Sequence, residues 1–171
     1  VNTRKPETIH TDRLSLIPLR VEHADEMATV LSDPELHTFT GGAPDTAQAL
    51  RVRYERWTAG SARPTESWCN WVIRLRETAC LTGYVQATII EDDRGATAEI
   101  AWVVGTAWQR RGIATEAAQG LVNWLREQPV HTVSAHIHPD NKASAAVAAA
   151  AGLAPTDQWH DGEIRWQLTV S

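Results

Sequence analysis

Apolar positions alternate with period two through the middle of the chain and switch to helical spacing beyond residue 104. In Trp71-Val72-Ile73-Arg74-Leu75-Arg76, positions 71, 73 and 75 make one apolar face, the mark of a half-buried strand. Tyr84 to Ile90 reads as the next strand, just after Thr82-Gly83. Residues 97–104 read as another, with Ala98, Ile100, Trp102 and Val104 on one face and Glu99, Ala101 and Val103 on the other. Glu91-Asp92-Asp93-Arg94-Gly95 has the polar and glycine chemistry of the turn between them. Strands in succession with short turns predict an antiparallel meander. Ahead of it, Leu14-Ser15-Leu16-Ile17-Pro18-Leu19 reads as a first strand, with Pro18 at an edge or a strand end. Ala24, Met27, Ala28 and Leu31 predict a helix over 23–32, broken by Asp33-Pro34. Gly41-Gly42-Ala43-Pro44 is a loop, and Asp45 is placed to cap a helix over 46–59.

In the second half, Ile113, Ala117, Leu121, Trp124 and Leu125 share one helical face. Val130 to Ile137 alternates and is β-branched, so it reads as a strand. Asp140 or Asn141 caps an alanine-rich helix from Lys142 to Ala151, which Gly152 closes, and 164–170 read as the last strand. A helix between strands 97–104 and 130–137 implies a crossover, hence a parallel pair in an otherwise antiparallel sheet. The fold class is mixed α/β.

The length of 171 residues suits one domain, 1–171, with residues 1–12 as an irregular lead-in. No run of about 18 apolar residues suggests a membrane span. The opening Val1 to Pro6 lacks the apolar core of a secretory signal, so a cytoplasmic location is expected. Net charge is −5, from 16 basic and 21 acidic residues, with no basic stripe, so nucleic acid is not an expected partner. Cys69 and Cys80 form neither a disulfide framework nor a zinc pattern and read as reduced thiols. No metal is expected, since His136 and His138 lack a third ligand at fixed spacing. A homodimer is the commonest assembly among oligomers, but no interface is legible in one sequence.

Trp108-Gln109-Arg110-Arg111-Gly112-Ile113-Ala114-Thr115-Glu116-Ala117 joins a strand to a helix. Unpaired amides and the positive end of the helix dipole suit a pyrophosphate there. Gly112 lets the backbone come close, Ala114 keeps the next turn small, and Arg110 and Arg111 add charge. Gln109 to Ala114 resembles the Q/R-x-x-G-x-G/A signature of the GNAT (GCN5-related N-acetyltransferase) superfamily. Asn141-Lys142-Ala143-Ser144 and Ala151-Gly152-Leu153 stand where that family has them, and Thr11-Asp12-Arg13-Leu14-Ser15-Leu16 is similar to the RimJ/RimL-like subgroup.

The resemblance implies the GNAT fold: a mostly antiparallel twisted sheet with a parallel, splayed strand pair and flanking helices. It implies acetyl-CoA as co-substrate. Backbone groups of Val103, Val104 and Gly105 would pair with the pantetheine arm. The segment Gln109, Arg110, Arg111, Gly112, Ile113, Ala114 and Thr115 would hold the pyrophosphate, and Asn141 would reach the pantetheine. The family often has a tyrosine where this chain has Ala148; Ser144 is the remaining hydroxyl able to donate to the departing sulfur, or else a helix-start serine bonded to its own backbone. Trp57, Trp68 and Trp71 fall in the region that lines the family's acceptor pocket.

Acyl transfer needs a neutral amine. An α-amine has a pKa of about 7.7–8.0 and lysine about 10.4, so a base matters more for lysine. Glu99 is the candidate base, directly or through water; the alternative is a solvated or salt-bridged strand carboxylate. His136 and His138 are further candidates, His136 also as a substrate contact. The predicted function is N-acetyl transfer to a primary amine, either a protein N-terminus or a small molecule, by direct attack in a ternary complex. A non-catalytic acyl-CoA-binding module and an unrelated α/β domain are the competing readings.

Overall fold

The computed structural model describes residues 4–39 and 41–170. In chain order its strands are β1 (Ile9–His10), β2 (Leu14–Pro18), β3 (Glu66–Leu75), β4 (Cys80–Asp92), β5 (Gly95–Val104), β6 (Thr132–Ile137), β7 (Ala154–His160) and β8 (Glu163–Thr169). The helices are α1 (Ala24–Val30), α2 (Ala47–Ala59), α3 (Ile113–Arg126) and α4 (Lys142–Ala150). The strands make one sheet in the order β1-β2-β3-β4-β5-β6-β8-β7. Every neighbouring pair is antiparallel except β5 and β6, which the α3 crossover makes parallel.

The alternation seen in the sequence sorts the two faces. Ala96, Ala98, Ile100 and Val104 of β5 join Trp71 and Ile73 of β3 in a core covered by α3 and α4. The α3 face is as its spacing predicts, with Ile113, Ala117, Leu121, Trp124 and Leu125 all buried. Fully burying a side chain such as Leu121 or Leu125 contributes about 1.5–3 kcal/mol. Under α1 and α2 lies a second, smaller core of Leu19, Met27, Leu50, Tyr54, Val72 and Leu81. Past the reach of those helices the same face is open, and Glu99 and Ala101 are exposed there.

Four expectations need correction. The α2 cap is Thr46, whose hydroxyl accepts the Ala49 amide at 3.1 Å, because Asp45 is paired instead with Arg53 at 3.0 Å. Within 1–12, Val1 to Thr3 lie outside the described residues, but Ile9–His10 pairs with Ser15 and Leu16 as a short strand. Residues 154–160, read as no element, form β7, an edge strand held by pairing with β8 rather than by burial.

Trp71 does not line a pocket. It is fully buried on the α3 face, edge-on to Trp124 with ring centroids 5.2 Å apart, and its indole N–H donates to the Glu7 carbonyl at 2.8 Å. Cys69 beside it is buried as well, and burial raises its thiol pKa to about 11. Trp71→Ala should therefore cost about 3–5 kcal/mol, read from the midpoint of urea unfolding. The same variant should leave the KM for any acceptor amine unchanged in the folded fraction; a rise would return Trp71 to the substrate site.

Candidate active site

Parallel pairing between β5 and β6 covers only Thr97 to Glu99 against Thr132 to Ser134. Beyond it β5 runs on to Val104 paired only with β4, and β6 to Ile137 paired only with β8. The strands part, and main-chain groups along the parting edges lack a partner across the gap. Such groups in a sheet need an acceptor or donor from elsewhere. An extended, amide-bearing chain meets that need, so the gap suits a pantetheine arm. Val103 and Val104 stand at its wide end. Gly105, expected beside them, is engaged within the protein: its amide donates to the Thr82 carbonyl at 2.7 Å and its carbonyl accepts from the Trp108 amide at 2.9 Å. It is glycine for packing, since a Cβ there would lie 2.6 Å from the Val30 carbonyl oxygen.

The gap opens toward the C-terminal ends of β5 and β6, the end where α3 and α4 begin. The helical ladder of α3 starts with the Glu116 amide on the Gly112 carbonyl at 3.0 Å, so the preceding amides have no helical partner. Arg110 and Gly112 both have positive φ, 64° and 75°. Left-handed residues in such a turn curl successive amides into a concavity, or cradle, of the kind that suits an anion. For Arg110 that conformation costs on the order of 1–2 kcal/mol. Arg110 and Arg111 are exposed beside the cradle. Gln109 works differently: its side-chain amide donates to the Val104 carbonyl at 3.0 Å and ties the turn to β5.

The turn is also held from outside by Arg13, whose part the sequence reading missed. Its Nη1 donates to the Arg111 carbonyl at 2.9 Å and its Nε to Glu116 at 2.7 Å. Glu116 further accepts the Arg13 amide at 2.8 Å and the Thr11 hydroxyl. A signal was present: an acid in the first turn of a helix expected to bind phosphate would repel that ligand unless a cation is bound to the acid. Burial works against the Glu116 carboxylate, but the hydrogen bonds from Thr11 and Arg13 outweigh it and hold its pKa below the usual value.

At the closed end of the gap, Glu99 Oε1 lies 2.5 Å from His136 Nδ1. The two predicted candidates are thus one unit, formed because Glu99 is level with Ser134 and reaches one step along β6. The His160 ring lies 5.3 Å beyond, centroid to centroid. His138 stands apart: its Nδ1 accepts the Asp140 amide at 3.0 Å and its ring lies against Phe39. Asn141 caps α4 by accepting the Ser144 amide at 3.1 Å, which leaves its own NH2 for a ligand. Among the described residues the Ser144 hydroxyl has no protein partner. Ala148, one turn on, is fully buried and carries no titratable group. Trp57, on α2, lies against Tyr54 and Tyr84 and lines a pocket on the Glu99 face.

Comparison with known proteins agrees with this geometry. Residues 13–154 match the family model described as the acetyltransferase (GNAT) domain. The chain belongs to the GNAT acetyltransferase family, and so is an N-acetyltransferase that depends on acetyl-CoA. It is 27% identical over 144 residues to an uncharacterized N-acetyltransferase, p20, of Bacillus licheniformis, covering 81% of this chain and 77% of p20. In fold it is similar to a GNAT acetyltransferase of Bacillus anthracis, with TM-score 0.78, 18% identity and coverage of 96% and 99%. It is similar as well to RimL, the ribosomal L7/L12 α-N-protein acetyltransferase solved with coenzyme A, with TM-score 0.76, 14% identity and coverage of 96% and 98%.

Two consequences follow from the Arg13 strap. Arg13→Ala should raise the KM for acetyl-CoA roughly tenfold, measured by steady-state kinetics, with a smaller effect on kcat. The folded-state pKa of Glu116 lies below its ordinary 4.5, so its carboxylate adds stability above that value and loses it as pH falls through the lower folded one. The melting temperatures of wild type and Glu116→Gln should therefore differ at pH 7 and converge in acid.

Proposed function

We propose that this enzyme moves the acetyl group of acetyl-CoA directly to a primary amine held on the Glu99 face, within one ternary complex. The observation that carries the reading is the Glu99–His136 pair at the closed end of the strand gap, 2.5 Å apart. The carboxylate accepts the Nδ1–H of His136 and fixes the tautomer, which leaves Nε2 with a lone pair. That nitrogen, or Glu99 through a water, takes the proton that the amine must lose.

Acetyl-CoA, when bound, supplies an activated acyl carbon as a thioester. The amine nitrogen bonds to that carbon as the carbon–sulfur bond breaks. The amine proton passes to the Glu99–His136 pair, and the departing thiolate accepts a hydrogen bond from the Ser144 hydroxyl and takes its proton from solvent, so Ser144 keeps its own. Val103 or Val104 polarises the carbonyl through the main chain. Arg110 and Arg111, with the amides of Gly112, Ile113, Ala114 and Thr115, hold the pyrophosphate, and the free NH2 of Asn141 meets the pantetheine.

The acceptor is an α-amine of a peptide or a small-molecule amine. An α-amine asks least of the base, and RimL, a structural neighbour, is an α-N-protein acetyltransferase. One observation favours a second reading, a module that binds acyl-CoA without turnover: Ala148 stands where the family often has its acid.

Release of CoA thiol, followed with acetyl-CoA and a panel of peptides, polyamines and aminoglycoside-like amines, separates the two. Wild type should release CoA with some member of the panel and Gly112→Asp should not. Glu99→Gln should lower kcat by about 10²–10⁴. Because the pair acts as a unit, adding His136→Gln should cost little more. Stabilisation by acetyl-CoA, about 2.7 kcal/mol at a hundredfold excess over Kd, without release for any amine would establish the binding module instead.

A further inference from the structure

A pocket of about 160 Å³ opens on the Glu99 face, lined by Arg56, Trp57, Trp68, Asn70, Gln86 and Thr88 among others. Resting on the transferase reading, we propose that it receives a flat, non-cationic aromatic group of the acceptor, and that this enzyme prefers aromatic primary amines to polyamines and aminoglycosides. Four observations meet in it.

The first is position. Trp68 is in register with Thr88, and Thr88 with Glu99, on the successive strands β3, β4 and β5. Strands lie about 4.8 Å apart, so the far wall stands about 10 Å from the carboxylate. An amine at the Glu99–His136 pair thus places a ring in the pocket when a few bonds separate ring and nitrogen. The second is volume. A cavity of about 150 Å³ elsewhere accepts one benzene, so this pocket has room for a single ring.

The third is the wall. Trp57 is held between Tyr54, at 5.3 Å, and Tyr84, at 5.9 Å, so its indole needs little ordering on binding. Gln86 Nε2 donates to Asn70 Oδ1 at 2.8 Å, which fixes both amides and leaves the Asn70 NH2 group and the Gln86 Oε1 for a polar edge. The fourth is charge. No carboxylate lines the pocket, and Arg56 lines it without an ion-pair partner among the described residues. Glu55, beside Arg56 in sequence, is exposed and not part of the lining, and Glu66, two residues before Trp68, is tied to the Ser61 hydroxyl at 2.7 Å and the Trp68 indole N–H at 3.0 Å. With Glu99 engaged by His136 and the reacting amine, a second ammonium group in the pocket would meet Arg56 and no carboxylate of the lining.

The test compares kcat/KM for an arylalkylamine, a dipeptide amide with an aromatic first residue, an aliphatic amine of equal length, a polyamine and an aminoglycoside. The ratio of aromatic to aliphatic kcat/KM should be tenfold or more in wild type. It should fall about tenfold in Trp57→Leu, which keeps apolar volume but removes the flat face, and largely recover in Trp57→Phe. Trp68→Ala gives the same comparison from the other wall. Preference for the dipeptide amide over the arylalkylamine, or the reverse, identifies the source of the aromatic amine. A polyamine or aminoglycoside turned over faster than either overturns the proposal and leaves acetyl transfer standing. So does a ratio untouched by both tryptophan changes. Binding of the two aromatic amines is also measured directly by titration calorimetry. Trp57-dependent binding without CoA release upholds the pocket assignment while the transferase reading fails.

Discussion

Two parallel strands that pair over three residues and then separate put hydrogen-bonding groups of a sheet interior opposite nothing. Backbone polar groups are costly to leave unpaired away from water, and much of this structure is arranged around that opening. β5 keeps its far edge on β4 along its whole length, and β6 keeps its far edge on β8, so each strand stays rigid while their shared edge is free. The crossover through α3 makes the pair parallel and brings an unpaired helix N-terminus to the open end. The helix that follows β6 begins there as well, with Asn141 and Ser144 in its first turn.

The same separation brings the chemistry together. If β5 and β6 stayed in register past Glu99, its carboxylate would stand beside a continuous ladder. At the base of the gap it turns to His136 instead. On this face the helices α1 and α2 cover only the strands toward β3 and β4, so the carboxylate–imidazole pair remains open to a substrate while the aromatic pocket forms at the edge of that cover. Ala148 on α4 is buried and offers no acid, which leaves Ser144 as the hydroxyl near the departing sulfur in the proposed arrangement.

What the sequence made legible was local. Period two in β3, β4 and β5 and period 3.6 in α3 gave both elements and faces, since the same face buries a run of neighbouring side chains. β7 was illegible because it is an exposed edge strand whose order comes from β8, a partner with no signature in 154–160 itself. Trp71 is instructive: its alternation with Ile73 and Leu75 already assigned it to the core, and the resemblance to an acceptor region pulled it the wrong way. Trp57, on a helix with weak patterning, did reach the pocket face. The union of Glu99 with His136 joins residues 37 apart and depends on where the strands part, which no pattern within either strand encodes.

The arginine strap ties the shape of the phosphate turn to chain that is distant in sequence. Arg13 and Arg111 are 98 residues apart, and Arg13 and Glu116 are 103 apart. Contacts of such separation form slowly, because a long loop must close before they contribute. The hairpins of the meander are assembled from neighbours, whereas the cradle acquires its final form only once β2 has docked against β3 and Arg13 has crossed to α3. In the proposed arrangement, a chain with its meander complete but its first strand undocked would lack the shaped turn that holds the pyrophosphate, so competence for the cofactor would come late in folding.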